Sequence, residues 1–218
     1  MNINIKNGIN TGSNKLIDHI QKNLLLYLLA FISICIGIIV GFCKVKYMGS
    51  SDRTYMIQWM RDSLNIYDAR SVPKMDIFFT SMKNYLPMIV FIWFLGLTII
   101  GTPLILIVDL FKGYTVGFTF SFIINNFGAT GVWVGVGSVL LQNLIFLPCI
   151  IIMSVYAMEF SMGIIKEKSF SLILPSFISY SLKCIIIFLV MLLGFFIEAY
   201  ITPYILNFLK SMLGVLIL

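Results

Sequence analysis

Five nearly uninterrupted apolar runs divide this chain of 218 residues, at 24–43, 86–108, 113–127, 131–158 and 184–209. Crossing the hydrocarbon of a bilayer takes about 20 residues of helix, so four of the runs are long enough to span. The third is shorter. Lys112 precedes it and Asn125, Asn126 and Gly128 close it, which leaves two forms open: a short span widened into the headgroups, or a re-entrant segment buried among other helices. With 60% hydrophobic residues, 11% charged and a mean hydropathy of +1.00, the chain lies far from the roughly 45–50% apolar and 25% charged of soluble domains. The fold class that follows is an all-α integral membrane protein. About five transmembrane helices form a compact bundle, one polytopic domain over 1–218, with a single polar insertion of short amphipathic helices at 44–85.

The first run is too long for the roughly 7–15-residue core of a signal peptide, and Cys43-Lys44-Val45-Lys46 offers no small-residue cleavage pattern. Cys35, Cys43, Cys149 and Cys184 all fall in or at the ends of apolar runs, where a free thiol behaves as a small apolar side chain. The net charge of +6 is spread along the chain and reports on topology or anionic lipid rather than on nucleic acid. Lys and Arg fall almost equally on the two sides of the membrane that the five runs define, so the positive-inside rule leaves orientation open.

Within the insertion, Ser50-Ser51-Asp52 offers a helix N-cap ahead of an apolar stripe at Met56, Trp59, Met60 and Leu64, spaced i, i+3, i+4, i+8. The stripe reads as a surface helix, either an interfacial anchor or a partner-docking face. After Pro73, the residues Ile77, Phe78, Ser81, Met82 and Tyr85 form a second apolar face leading into the next span. The stretch from Lys166 to Lys183, broken by Pro175, reads as an interfacial elbow.

Gly37 with Gly41, Gly113 with Gly117, and Gly131 with Gly135 each make a GxxxG pair, which bares backbone on one helix face and permits close approach. The expected use is packing within the bundle. Kinks are expected near Pro103 and Pro148. Asp109 and Lys112 read as a loop pair after the second run, and Glu159 as a headgroup-level terminus. Glu198 and the adjacent Gln142 and Asn143 are the candidates for buried polar groups, with a structural hydrogen-bonding role.

Catalytic, cofactor-binding and metal-binding residues are not expected. The single histidine, His19, stands among Lys15, Asp18 and Lys22, no CxxC is present, and no Walker A, HExxH or nucleophile–base set appears.

The run Lys83-Asn84-Tyr85-Leu86-Pro87, a span with Gly96 and Gly101, and then Asp109-Leu110-Phe111-Lys112-Gly113-Tyr114-Thr115-Val116-Gly117-Phe118 resemble the stage II sporulation protein M family. Asn84 corresponds to the family's asparagine ahead of the second span, and Gly113 and Gly117 to its glycine-rich turn; the size, the loop after the first span and Glu159 fit as well. The resemblance implies a non-enzymatic membrane protein of endospore formation, on the mother-cell side of the sporulation septum. Its N-terminus would be cytoplasmic and its 44–85 loop extracytoplasmic. It also implies partners, stage II sporulation proteins D and P, whose peptidoglycan cleavage drives engulfment of the forespore and for which this chain would be the membrane scaffold. The alternative from the residues is a small permease or transporter component, which the kinked spans and short third segment favour and the scarcity of buried ionisable groups opposes.

Overall fold

The computed structural model describes residues 18–58, 74–136, 139, 141–166 and 170–216. Five long helices follow in order among the described residues: α1 (Leu24–Lys46), α2 (Lys74–Gly96), α3 (Gly101–Gly135), α4 (Leu141–Lys166) and α5 (Phe170–Leu216). The described residues contain no strand. Each helix holds a stretch long and apolar enough to cross a bilayer: Leu24–Lys46, Met75–Gly96, Gly101–Asn126, Asn143–Ile164 and Leu174–Tyr200. The protein is an all-α, multi-pass membrane protein.

The helices do not begin and end where the apolar runs do. The second run, 86–108, is cut by a turn after Gly96, in which the Leu97 and Thr98 amides donate to the Phe94 and Leu95 carbonyls at 3.0 Å and the Gly101 amide donates to Thr98 at 3.1 Å. The Thr98 hydroxyl donates back to Leu95 at 2.7 Å, so the turn satisfies its own backbone although its residues are apolar. The second span therefore starts near Met75, and the 113–127 run is the second half of a helix that starts at Gly101. It is a full crossing, neither short nor re-entrant in length. Pro103 stands in the first turn of α3, where its missing amide has no helical partner to lose; it starts a helix rather than kinking one. Pro87 and Pro148 lie inside α2 and α4.

The break in α3 comes at Gly128, whose φ of 58° and ψ of −139° interrupt the helix. A Cβ there would meet nothing within 4 Å, so glycine is required by conformation and not by space. Gly131 and Gly135 close α3 after this break rather than entering the fourth span, and their surroundings lie outside the described residues. Fourth and fifth spans are shifted likewise: α4 begins at Leu141, and α5 runs unbroken through Pro175 and Lys183, so the expected elbow from Lys166 to Lys183 is mostly the start of a spanning helix.

Two kinds of packing hold the bundle. In α1 the buried positions Leu26, Ala30, Ile34, Gly37, Gly41 and Val45 form one stripe, and the rest of the helix is open aliphatic surface. The stripe lies on α3, its most extensive neighbour. Around α2, α4 and α5 the contacts are large side chains: the Tyr85 and Phe146 rings stack at 4.5 Å and Phe146 meets Phe195 at 5.0 Å. Ile92, Ile150, Met153, Met158 and Met191 fill the same core.

Residues 50–58 are helical. The helix begins one to three residues earlier than a cap at Ser50-Ser51-Asp52 would place it, since the Arg53 amide donates to Gly49 at 3.1 Å. Met56 is half-buried. Trp59, Met60 and Leu64, the remainder of the expected docking stripe, lie outside the described residues.

Candidate functional site

The glycines on α1 and α3 interlock. A Cβ on Gly37 would strike the Leu110 carbonyl and lie 2.8 Å from the Tyr114 nitrogen; one on Gly41 would strike the Tyr114 carbonyl and lie 2.7 Å from the Phe118 nitrogen. Reciprocally, a Cβ on Gly113 would strike the Ile34 carbonyl and one on Gly117 that of Ile38. All four obstacles are backbone, so no rotamer change relieves them. Ser121 extends the row by one more turn, fully buried, its hydroxyl donating to the Phe42 carbonyl at 3.4 Å. Gly113 and Gly117 are thus helical contact positions, where the resemblance had them in a turn, and Asn84 lies exposed within α2.

Asp109 stands one turn before Gly113 on the same row of α3 and is wholly buried. It pairs not with Lys112 but with α4: the Ser154 hydroxyl donates to Asp109 Oδ1 at 2.7 Å. Asp109 Oδ2 has no partner among the described residues. Lys112 points the other way, donating to the Tyr85 hydroxyl of α2 at 3.1 Å with its ammonium 4.2 Å from that ring's centre. Glu198 of α5 acts electrostatically on both Lys112 and Tyr85. The expected loop pair is therefore two separate intramembrane contacts. A lysine at this depth is tolerable because a carboxylate and a phenol offset its desolvation.

The other polar candidates are local. The Asn143 amide donates to the Val139 carbonyl at 2.7 Å, and Asn126 does the same to Phe122; both return to the carbonyl four residues back and so occupy a helix without breaking it. Gln142 lies in α4, its side chain outside the described residues.

His19, isolated in the sequence, is not isolated in space. Its Nε2 lies 2.9 Å from Glu159 Oε2, and its Nδ1 lies 3.2 Å from the Tyr27 hydroxyl. The Asn23 side-chain nitrogen lies 3.3 Å from the same Nε2, and the tautomer of the ring sets which of these groups donates. The ring also packs on Tyr156 at 4.4 Å, and the Lys183 ammonium sits 4.6 Å from the centre of that same Tyr156 ring. No sequence signal links positions 19 and 159; His19 lies in the helical residues 18–22 just ahead of α1, and the packing of α1 against α4 brings that stretch to Glu159.

Asp109, Lys112 and Glu159 are thus each matched to a side chain from another part of the bundle, whereas Asn126 and Asn143 bond within their own helical segments. Among the described residues no three His, Cys, Asp or Glu side chains group as metal ligands, and the cysteines are free. This is an arrangement that orients helices.

No curated protein matches this chain, and no solved structure does. A family model does match, over residues 28–203, from within α1 to beyond the fifth span, and its description is stage II sporulation protein M. A match over most of the chain, on a bundle whose packing row carries Gly113 and Gly117, places the protein: it belongs to the stage II sporulation protein M family, membrane proteins of sporulation.

Proposed function

We propose that this protein is a non-enzymatic membrane scaffold that recruits and positions peptidoglycan-degrading partners, stage II sporulation proteins D and P, on the mother-cell side of the septum during engulfment of the forespore. The observation that carries the reading is how the polar groups are used: Asp109 on Ser154, Lys112 on Tyr85 and Glu159 on His19 cross-brace helices instead of converging on a reactive centre. A rigid bundle presents fixed helix faces and a fixed loop to single-span partners. Holding two hydrolases on one platform raises their effective concentration without chemistry in the platform itself. The connection between α1 and α2 is the proposed docking surface, through Met56, Trp59, Met60 and Leu64, a mixture of aromatic and methionine side chains typical of interface centres.

Affinity isolation from sporulating cells tests this. Trp59→Ala should weaken recovery of the two hydrolases while leaving the protein's own membrane level unchanged. Loss of the protein from the membrane would make the stripe a structural anchor; unchanged recovery would remove it as the docking site. Muropeptide release by the purified protein would overturn the scaffold reading in favour of an enzyme.

A second reading, a small permease component, is favoured by one specific observation. Asp109 is wholly buried at span depth with an oxygen that has no partner among the described residues, and buried intramembrane acids commonly mark transport pathways. Proton or ion flux in proteoliposomes that disappears in Asp109→Asn would favour it.

A further inference from the structure

Between the last turns of α4 and the first turns of α5 lies an open cleft of about 450 Å³, lined among others by Tyr156, Glu159, Ser179, Tyr180 and Lys183. Its volume is within the roughly 300–1,000 Å³ of small-molecule sites. The cleft opens at the end of the spans where the chain passes from Ile164 to Leu174 and reaches Lys183, nine residues inside the fifth span, from which a lysine stem extends its ammonium toward the headgroups. Among the described residues the cleft contains one cation and one anion, and the two do not pair: the carboxylate's close basic contact there is His19. His19 orients that carboxylate through Oε2 at 2.9 Å, and the second oxygen has no hydrogen bond among the described residues. Lys183 is held over the Tyr156 ring with no carboxylate against it. The floor is fixed, because Tyr180 stacks on Phe160 at 4.6 Å and donates to the Trp93 carbonyl at 2.9 Å.

A site with separated, pre-oriented positive and negative groups suits a ligand carrying a phosphate and a primary ammonium. What makes that ligand a lipid is the surface leading away from the cleft. Leu182, Ile186, Leu189 and Leu193 form an exposed aliphatic row on α5 that runs from the level of Lys183 toward the middle of the bilayer, where an acyl chain would lie. We propose that this cleft binds the headgroup of a zwitterionic aminophospholipid. Its phosphate is taken by Lys183 and the Ser179 hydroxyl, and its ammonium by Glu159. An anionic lipid without an amine would meet the Glu159 charge uncompensated, and a quaternary ammonium has no N–H to donate to it. The site is independent of the scaffold reading.

Native mass spectrometry of the full chain, titrated with dioleoyl phosphatidylethanolamine, phosphatidylglycerol and phosphatidylcholine, tests the proposal. Phosphatidylethanolamine should bind at one saturable site about tenfold more tightly than either other lipid, the worth of one charge-assisted hydrogen bond. Lys183→Gln should abolish that site, Lys183→Arg should keep it, and Glu159→Gln should bring phosphatidylethanolamine level with phosphatidylglycerol. Equal binding of the three lipids to the wild type would overturn the proposal, as would full binding to a Lys183→Gln protein. Displacement of the lipid by equimolar soluble phosphoethanolamine or inorganic phosphate would overturn the lipid assignment and make the ligand a soluble phosphate compound.

Discussion

The α1–α3 crossing and the α2–α4–α5 core face the same lipid and are held together by opposite means. At the crossing there is almost no side chain between the helices, because Gly37, Gly41, Gly113 and Gly117 let backbone touch backbone. In the core the helices are kept apart by Tyr85, Phe146 and Phe195, whose rings fill the gap. Lipid tails are as apolar as leucine, so neither contact gains from exclusion of water; each must win on van der Waals fit. A close crossing achieves fit by removing atoms and is intolerant of any addition. An aromatic core achieves it by adding atoms and retains some freedom to rearrange.

Substitution should expose that difference, with the largest effect at the crossing. Gly113→Leu places a side chain against the Ile34 backbone and should cost about 3 kcal/mol, the upper end of ordinary overpacking, measured by reversible unfolding in micelles and by membrane accumulation. Wild-type stability in that variant would mean the two helices do not cross there. Phe146→Ala should cost less, about 2 kcal/mol, because the roughly 3–5 kcal/mol seen in water-soluble cores includes a transfer from water that is missing here. A larger loss at Phe146 than at Gly113 would invert the comparison and make the aromatic core the dominant element. Ser154→Ala removes the donor to Asp109 and should cost about 1 kcal/mol, typical of hydrogen bonds between membrane helices. Smallest is Gly163→Ala, where a Cβ meets nothing within 4 Å; it should be neutral or stabilising by up to about 1 kcal/mol.

The crossing was legible from glycine spacing, and the number of spans from apolar runs. The helix boundaries were not, and the turn at 97–100 shows why. Leu97, Ile99 and Ile100 are as apolar as the spans they separate, so hydropathy registers no break. The signal that does mark it is Gly96 ahead of the turn, with Gly101 and Pro103 opening the next helix, the usual asymmetry of helix ends. Lys112 misled in the opposite sense. A charge suggests a loop, yet its partners Tyr85 and Glu198 are far off in sequence and invisible to any local pattern. The same is true of His19 and Glu159, 140 positions apart.

These shifts also bear on orientation. Lys112 and Lys183, which the apolar runs leave in loops, lie within spans, and so do Lys44, Lys46 and Lys83. With these five set aside the remaining basic residues divide equally between the two sides, so the charge rule still leaves orientation open and the extracytoplasmic placement of the α1–α2 connection rests on the family resemblance. Single cysteines in a background without the native four, Ser51→Cys and Ser169→Cys, labelled with an impermeant maleimide in intact cells, should react at position 51 alone if the family orientation holds. Reaction at 169 alone would reverse it.

The interlocked glycines have a consequence for biogenesis. Gly37 and Gly113, like Gly41 and Gly117, are 76 residues apart in the chain, and at about 5–20 residues synthesised per second α1 waits roughly 4–15 s for its partner. Throughout that interval its backbone stripe faces lipid or another protein's helix. Once α3 arrives, the pair closes before α4 and α5 have been made. The N-terminal half is then the template on which the rest assembles, and a chain stopped after Gly128 should already contain the finished crossing.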